Sequence, residues 1–575
     1  MLFFFRILNQ VLDKKEKKAF NFYIILSIFV PIVEIMSIGA MIAVIAFFFS
    51  DGDNLPSTLL YFKEFIDLEN NNQKFIIVLL CINILIFILK NLYLFFYKIF
   101  ETKTKNKILA NKSYNLFKGY ISVKYLYMKS LKKSEIFNNT IIEPQRVVQY
   151  IFSIIMLVRD FLIVFFLLTA TFIVEPKYTL ILFLSLSLFT ILIIFKFNKK
   201  NLIVGNKLRK INEEYISLIN NSHNLFKILF FNNKQFFFLE RFNQLLKQRA
   251  DNHTYQEVFR GSPKFFVEVF VVIILSLLLI SEVLQNFKDI DSFLIFMSLL
   301  AFISLRLIPI FTNLNTYIAS LKFSEASINN YKNIIEKNNL NFPAESQKIT
   351  NNHEILKNDS LILKVQNLGF SFEENKLFDN LNFNIEKNKI FGIFGKSGSG
   401  KSTLVDLISG LIKPHNGSIK INGEIDIYDI LKFWQLNIGY VPQEPILFND
   451  SIQKNICLET DINKIDFERL NYSIELTGIQ EILSKNNINL QSVIGEGGGK
   501  LSGGQKQRIG IARAIYFNPL IYIFDEPTAS LDSLSEKKII SLLHKLKDKK
   551  MIILISHSLE IKSSVDNFIN LDEIK

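Results

Sequence analysis

The sequence predicts a multidomain chain in which an all-α polytopic membrane domain of six transmembrane helices precedes an α/β domain, and three observations carry that prediction. Apolar residues crowd into long runs before about residue 311. From Leu361 onward, short apolar strands alternate with turns and helices. Between these regions hydrophobicity falls and Asn, Lys and Glu rise, as in NIIEKNNLNFPAESQKITNNHEILKND. The expected division is therefore a membrane domain over 1–330, a linker over 331–360 and an α/β domain over 361–575.

The membrane elements follow from length. Crossing the hydrocarbon core takes about 20 helical residues. Six runs meet this requirement, at 22–50, 75–99, 151–174, 178–197, 265–285 and 291–311. Before the first run stands the charged stretch DKKEKKAF, which is no signal-peptide cleavage pattern, so the first helix is expected to stay in the membrane. Only Glu175, Pro176 and Lys177 join the third and fourth runs, which forces a tight hairpin. In the first connecting loop STLLYFKEFIDLE has helical apolar spacing and fits an interfacial helix or a plain surface helix. The two loops 101–150 and 196–264 continue helical patterns well beyond the bilayer and read as stalks.

Charge orients these elements. Five Lys/Arg lie in the first 20 residues and both long loops are basic, whereas the 51–74 loop has five acids against two lysines. The N-terminus and both long loops are expected on the cytoplasmic side of the membrane. The net charge of +13 raises nucleic acid as a partner, but no groove-reading motif accompanies it and the excess sits where loops face anionic lipid. With only Cys81 and Cys457, neither a disulfide framework nor a cysteine metal site is available.

The chemistry lies in the α/β domain. The strand KIFGIF runs into Gly395-Lys396-Ser397-Gly398-Ser399-Gly400-Lys401-Ser402, and Thr403 opens the apolar helix TLVDLISGLI. This is a phosphate-binding loop in its strand, loop, helix context. Its glycines let backbone N–H groups surround phosphates, Lys401 reaches the β and γ oxygens, and Ser402 holds Mg²⁺. A second apolar strand, LIYIF, ends in Asp525-Glu526, where the first carboxylate can orient the metal shell and the second can polarise an attacking water. Between them stands Leu501-Ser502-Gly503-Gly504-Gln505 before the helix KQRIGIARAI. Ser and Gly alone suffice to start a helix, but not to explain this string between those two motifs.

With LSGGQ in that position, residues 361–575 resemble the nucleotide-binding domain of ABC transporters, an α/β P-loop ATPase. The resemblance implies ATP and Mg²⁺ as cofactors and assigns further roles by position. Gln443 in YVPQEP corresponds to the glutamine that contacts the γ-phosphate and Mg²⁺, Asp532 in ASLD to the D-loop aspartate, and His557 in ISHS to the switch histidine. Glu526 takes the general-base role, with Ser402, Gln443 and Asp525 around the metal. Phe372 in FSFEE stands where the family usually has a Tyr on the adenine, so the stacking face is kept and the hydroxyl lost. Glu496 in VIGEGGGK corresponds to a segment that touches the membrane domain. In this family one domain's phosphate loop meets the LSGGQ of another, so Ser502, Gly503, Gly504 and Gln505 imply a second copy of the chain.

The order of six helices and then the ATPase resembles type IV exporters. Pieces near YLYMKSLKKSEIFNN and HNLFKILFFNNKQF are the candidate coupling helices. The membrane half is similar to PglK-type lipid-linked oligosaccharide flippases at VEIMSIGAMIAV, SPKFFVE and LRLIPIFTNLNTYIASL, with LVDLISGLIKPHNGSI in the cassette. That similarity implies a polyprenyl-pyrophosphate-linked sugar chain as cargo. Charged residues in or beside the spans are Glu34, Lys90, Arg159, Asp160, Glu268 and Arg306. Intramembrane charges face a partner or a cavity. Arg306 and Lys90 are the candidates for an anionic headgroup, while pairing and cargo contact stay open for the others. A multidrug or lipid-A-type exporter shares the architecture, and an ATP-gated channel or regulatory receptor is the reading from another class.

Overall fold

A computed structural model describes residues 8, 11–49, 57–65, 72–123, 125–174, 176–198, 201–284, 290–337, 361–372, 375–485, 487–528, 533–548, 550–557 and 560–573. The chain divides into two compact units, one of residues 1–123 and 130–342, the other of residues 124–129 and 343–575.

The first unit is helical. It begins with α1 (Lys14–Phe49), α2 (Ser57–Phe65) and α3 (Asn72–Ile121), so the apolar spacing of STLLYFKEF does form a helix. The short helix α4 (Tyr125–Ser130) belongs, up to Lys129, to the second unit; in the first, α5 (Lys133–Phe137) and a π turn (Asn138–Ile142) lead into α6 (Glu143–Val174). Then come α7 (Pro176–Asn198), α8 (Asn201–Asn224), α9 (Phe226–Phe231), α10 (Gln235–Gly261), α11 (Pro263–Leu284) and α12 (Ile290–Lys337).

Among the described residues, four helices are long and apolar enough to cross a membrane: Lys14–Ile45, Asn72–Ile121, Lys133–Thr169 and Lys264–Ser281. The run expected at 178–197 lies in α7 (Pro176–Asn198), whose described apolar stretch is Tyr178–Leu192. The run at 291–311 lies within α12, where most side chains as far as residue 306 fall outside those described.

Length explains the stalks. At 1.5 Å per residue the 50-residue α3 extends about 75 Å, more than twice a hydrocarbon core, so its polar C-terminal half continues beyond the bilayer. The short helices α4 and α9 fall in the two stretches expected as coupling helices.

Several charged side chains within this unit pair with one another. Lys112 Nζ meets Glu16 Oε2 at 2.7 Å, with both side chains buried. Tyr23 stacks on Tyr97 with ring centroids 5.7 Å apart and lies against Phe152, joining α1, α3 and α6. Lys90, expected to face cargo, is instead buried, with its Nζ 2.6 Å from Glu34 Oε2 and 3.0 Å from Ser37 Oγ. The cause is desolvation: an ammonium among apolar helices must be met by acceptors, and α1 supplies a carboxylate and a hydroxyl. Arg159 likewise pairs with Asp160, NH2 to Oδ1 at 2.6 Å. Glu268 lies 3.7 Å from Lys264 at a more exposed position. The side chain of Arg306 is outside the described residues.

The second unit is built on two sheets. The strands β1 (Ile362–Phe372), β2 (Asn375–Glu386), β4 (Asn416–Ile421) and β5 (Ile425–Asp426) form an antiparallel sheet in the order β2-β1-β4-β5. The strands β3 (Ile390–Phe394), β6 (Ile438–Val441), β7 (Ile521–Asp525), β8 (Met551–Ser556) and β9 (Asn567–Asn570) form a parallel sheet in the order β6-β7-β8-β3-β9. Every residue of β3 and β8 is buried, as a parallel sheet covered on both faces requires.

Around this sheet run α13 (Lys401–Ile408), α14 (Leu431–Leu436), α15 (Ile452–Cys457), α16 (Phe467–Thr477), α17 (Ile479–Lys485), α18 (Gly503–Tyr516) and α19 (Ser533–Leu546). Trp434 is fully buried between the sheets, its indole donating to the Ile408 carbonyl at 2.8 Å. Lys129, which belongs to this unit, places its Nζ 4.0 Å from Asp406 Oδ2 on α13.

Candidate active site

The phosphate loop leaves the buried strand β3 and enters α13 through backbone that only glycine adopts easily. Gly398 and Gly400 have φ of 82° and 103°. A Cβ on Gly400 would stand 2.8 Å from the Phe378 ring, whereas one on Gly398 would meet nothing within 4 Å. The loop is thus closed toward the protein and open on its other side. Lys401 folds over it and donates to the carbonyls of Gly395 at 2.7 Å and Lys396 at 3.0 Å. Ser399 Oγ is buried and has no hydrogen-bond partner among the described residues. Ser402 is exposed and Thr403 half-buried in the first turn of α13, where backbone N–H groups have no intrahelical acceptor. This cradle fits an anion, and the fit rests on donors left over by the fold.

Ser397 is exposed at the turn. The N–H of Lys396 is held by the carboxylate of Asp572, at 3.2 Å to Oδ1 and 3.0 Å to Oδ2.

The carboxylates come from β7, which β8 separates from β3 in the parallel sheet. Asp525 ends β7, and Tyr440 of the adjacent β6 donates its hydroxyl to Asp525 Oδ2 at 2.9 Å. Burial pushes the Asp525 carboxyl above the usual carboxylate range. The Tyr440 hydrogen bond opposes that, the negative Glu526 adds to it, and the positive Lys401 draws it back. Burial, and then the neighbouring Asp525 charge, raise the Tyr440 phenol in turn.

Glu526 sits one residue on, at φ 46°, a left-handed conformation that a non-glycine residue adopts at a cost of about 1–3 kcal/mol. Its N–H donates to the Ile555 carbonyl at 3.0 Å, which fixes it beside β8. Gln443 Nε2 donates to Glu526 Oε2 at 2.9 Å. His557 Nδ1, just past β8, lies 3.3 Å from Glu526 Oε1. Two residues separated by over a hundred positions thus converge on one carboxylate. Ser402, Gln443 and Asp525 offer the hard oxygen donors that suit Mg²⁺, which takes few protein ligands and completes its shell with phosphate and water.

The signature residues stand apart. Ser502 caps α18, where its Oγ accepts from the Gln505 N–H at 3.4 Å while the Ser502 N–H donates to Gln505 Oε1 at 3.0 Å. Gly503 and Gly504 begin the helix. Among the described residues no hydrogen bond or ion pair joins this turn to the phosphate loop of the same chain. Phe372, at the end of β1, is 47% exposed and meets Phe370 edge-on at 5.0 Å. Phe370 in turn stacks on His415. Glu496 lies in a 3₁₀ turn of the segment before the signature. Asp532 lies outside the described residues.

Sequence reasoning missed Tyr440 and Asp572. Their roles depend on the order β6-β7-β8-β3-β9, which puts β6 beside the Asp525 strand and β9, with the turn after it, beside the phosphate loop. Tyr440 carried a usable signal, standing three residues before Gln443 on an apolar strand.

Comparison with known proteins agrees with this geometry. The ABC transporter family model matches residues 378–529. An export ATP-binding/permease protein of Rickettsia typhi is 36% identical over 235 residues, 40% of this chain and 40% of that protein. The alpha-hemolysin translocation ATP-binding protein HlyB of Escherichia coli is 35% identical over 212 residues, 36% of this chain and 30% of the relative. The chain thus spans well under half the length of these curated relatives. A bacterial Atm1-family ABC exporter solved with ATP bound shares the fold, with a TM-score of 0.71 and 16% identity over 97% of this chain and 94% of that one. The chain is a multi-pass membrane protein whose C-terminal unit is a cytoplasmic ABC transporter ATPase domain, with ATP and Mg²⁺ as its cofactors.

Proposed function

We propose that the chain is one half of a homodimeric ABC exporter of the bacterial inner membrane. It carries six spans per copy, and ATP turnover drives a lipid-linked oligosaccharide across the bilayer. The observation that carries the ATPase part is the convergence of Gln443 and His557 on Glu526, next to an Asp525 tuned by Tyr440 and Lys401. Dimerisation is supported by the signature turn, whose Ser502 and glycines form no hydrogen bond with their own phosphate loop among the described residues. Two copies would complete two sites, each closed by the other's signature.

The residues divide the work. Amides of 398–403 and Lys401 would bind the phosphates, and Phe372 would cover the adenine. Ser402, Asp525 and Gln443 would hold Mg²⁺, which when bound neutralises charge on the phosphate oxygens. Glu526 would take the proton of the attacking water, with His557 holding it in place and Asp532 reaching from the D-loop. Glu496 and the helices α4 and α9 would carry the motion to the membrane unit.

The cargo reading is supported by the similarity of VEIMSIGAMIAV, SPKFFVE and LRLIPIFTNLNTYIASL to PglK-type flippases, and by the basic Arg306 as a partner for pyrophosphate. Reconstitution into vesicles with polyprenyl-pyrophosphate-linked oligosaccharide tests it. ATP should expose the sugar on the opposite leaflet, and Glu526→Gln should bind ATP yet lose about 10²–10⁴-fold in turnover. ATPase stimulation by hydrophobic drugs, with no movement of the sugar lipid, would favour a multidrug exporter instead. Ion currents in a planar bilayer would favour a channel.

A further inference from the structure

We propose that Arg513 is a positioning residue for ATP hydrolysis. Its guanidinium fastens the loop that carries Gln443 to the signature helix α18, so that Gln443 and Ser502 belong to one rigid piece. The inference rests on the reading of Gln443 and Glu526 as parts of the hydrolytic site and adds what sets the reach of Gln443.

Three side chains or their absence anchor this loop. Arg513 Nε donates to the Asn455 carbonyl at 2.7 Å, and NH1 and NH2 both donate to the Ile446 carbonyl at 3.1 Å. Ile446 stands three residues after Gln443, whose Nε2 meets Glu526 Oε2 at 2.9 Å. Asn455 of α15 is fully buried and grips the next stretch of the loop, accepting from the Phe448 N–H and donating to the Phe448 and Ser451 carbonyls, each at 3.0 Å. Arg513 NH2 reaches Asn455 Oδ1 as well, at 3.5 Å. Gly510, one turn before Arg513, lets Pro445 lie so close to α18 that a Cβ on the glycine would stand 2.7 Å from the proline ring.

The chemistry explains why an arginine stands here. Arg513 forms no ion pair among the described residues, so carbonyl oxygens meet its charge, and hydrogen bonds from a cation are about twice as strong as neutral ones. A planar fork can hold two separate stretches of main chain at once, whereas a lysine carries its charge on one nitrogen and reproduces that grip only in part. Arg513 lies 11 residues after Ser502, about 16 Å along a single helix at 1.5 Å per residue. Gln443 itself is exposed, so its hold on Glu526 depends on where its main chain is kept. Misplacing a positioned group by about 1 Å can cost about 10²-fold in rate, and the guanidinium guards against that slack.

A double-mutant cycle on the full chain in nanodiscs tests this, with steady-state ATPase as the readout and Trp434 fluorescence during denaturation as the check on folding of the ATP-binding unit. Arg513→Met keeps the apolar stem and removes every donor. It should lower kcat by about tenfold and leave the KM for ATP within about twofold. Gln443→Ala should lower kcat by itself, and adding Arg513→Met to it should change kcat by less than about twofold, because the arginine acts through the glutamine. A residue that merely supports the fold would lower kcat in both backgrounds. Arg513→Lys, which keeps the charge and the stem, should lose about threefold and should likewise lose nothing more in the Gln443→Ala background; it carries the test if Arg513→Met does not fold. An unchanged kcat in the foldable Arg513 variant, or a loss confined to KM, would overturn the assignment. Losses that multiply in the double variant would sink the positioning role alone. Unchanged turnover in Gln443→Ala would sink the role given to Gln443, and this inference with it.

Discussion

Lys90→Met is expected to unfold the membrane unit's helix pairing rather than its transport chemistry. The lysine is 2% exposed, with Glu34 Oε2 at 2.6 Å and Ser37 Oγ at 3.0 Å. Removing it leaves the Glu34 carboxylate, itself only 14% exposed, without this counter-charge. Breaking a buried pair from one side costs about 3–5 kcal/mol, whereas replacing both partners by neutral groups is often close to neutral. Lys90→Met should therefore cost about 3–5 kcal/mol and the double variant with Glu34→Gln should recover most of that. Far-UV circular dichroism in nanodiscs follows the helical unit through denaturation. The sole tryptophan, Trp434, is buried in the other unit and reports that unit separately by fluorescence. An unchanged helical transition in Lys90→Met, or a double variant no more stable than the single, would refute the pairing argument and return Lys90 to the cargo.

Three further outcomes follow from the ATP-binding unit. Phe372→Ala should raise the KM for ATP by about tenfold with kcat little changed, because aromatic–base stacking is worth about 1–3 kcal/mol and no phosphate contact is lost. Steady-state kinetics that show the loss in kcat would place the adenine elsewhere. Tyr440→Phe removes the hydroxyl that favours the charged form of Asp525 and so raises a carboxyl already raised by burial. Since Mg²⁺ needs the carboxylate, the acid limb of ATPase activity should move to higher pH, and a shift to lower pH in the measured profile would contradict that sign. Gly400→Ala places a Cβ 2.8 Å from Phe378 at φ 103°, so it should cost about 1–3 kcal/mol in loop strain, read as weaker binding of a fluorescent ATP analogue.

The phosphate loop, the Asp525-Glu526 pair and the signature were legible because each is contiguous and its chemistry is local. Eight residues from Gly395 to Ser402 contain their own backbone geometry and their own charge. Tyr440 and Asp572 were not legible, because a strand's neighbour in a parallel sheet is set by crossovers and not by nearby sequence. The antiparallel sheet was also hidden, since β1 is interrupted by register shifts and its apolar residues do not alternate cleanly. In the membrane unit hydropathy found the runs but not their faces. A helix such as α1 is apolar nearly all round, so its sequence does not say which side carries Glu34 toward α3. The Glu34–Lys90 pair spans 56 positions, and either partner alone reads as a candidate for cargo.

The two units therefore hide their ligands in opposite ways. Around the phosphate loop the fold leaves donors over among the described residues: a buried Ser399 hydroxyl without a partner, first-turn N–H groups of α13, and a Lys401 that donates to its own loop's carbonyls. An anion is the missing counterpart, and its charge class can be read from what is left. In the membrane unit low polarity makes every unpaired charge expensive, so evolution of a stable bundle drives the charges to cancel in place, as Glu34 does with Lys90 and Arg159 with Asp160. Formal charge then says little about cargo.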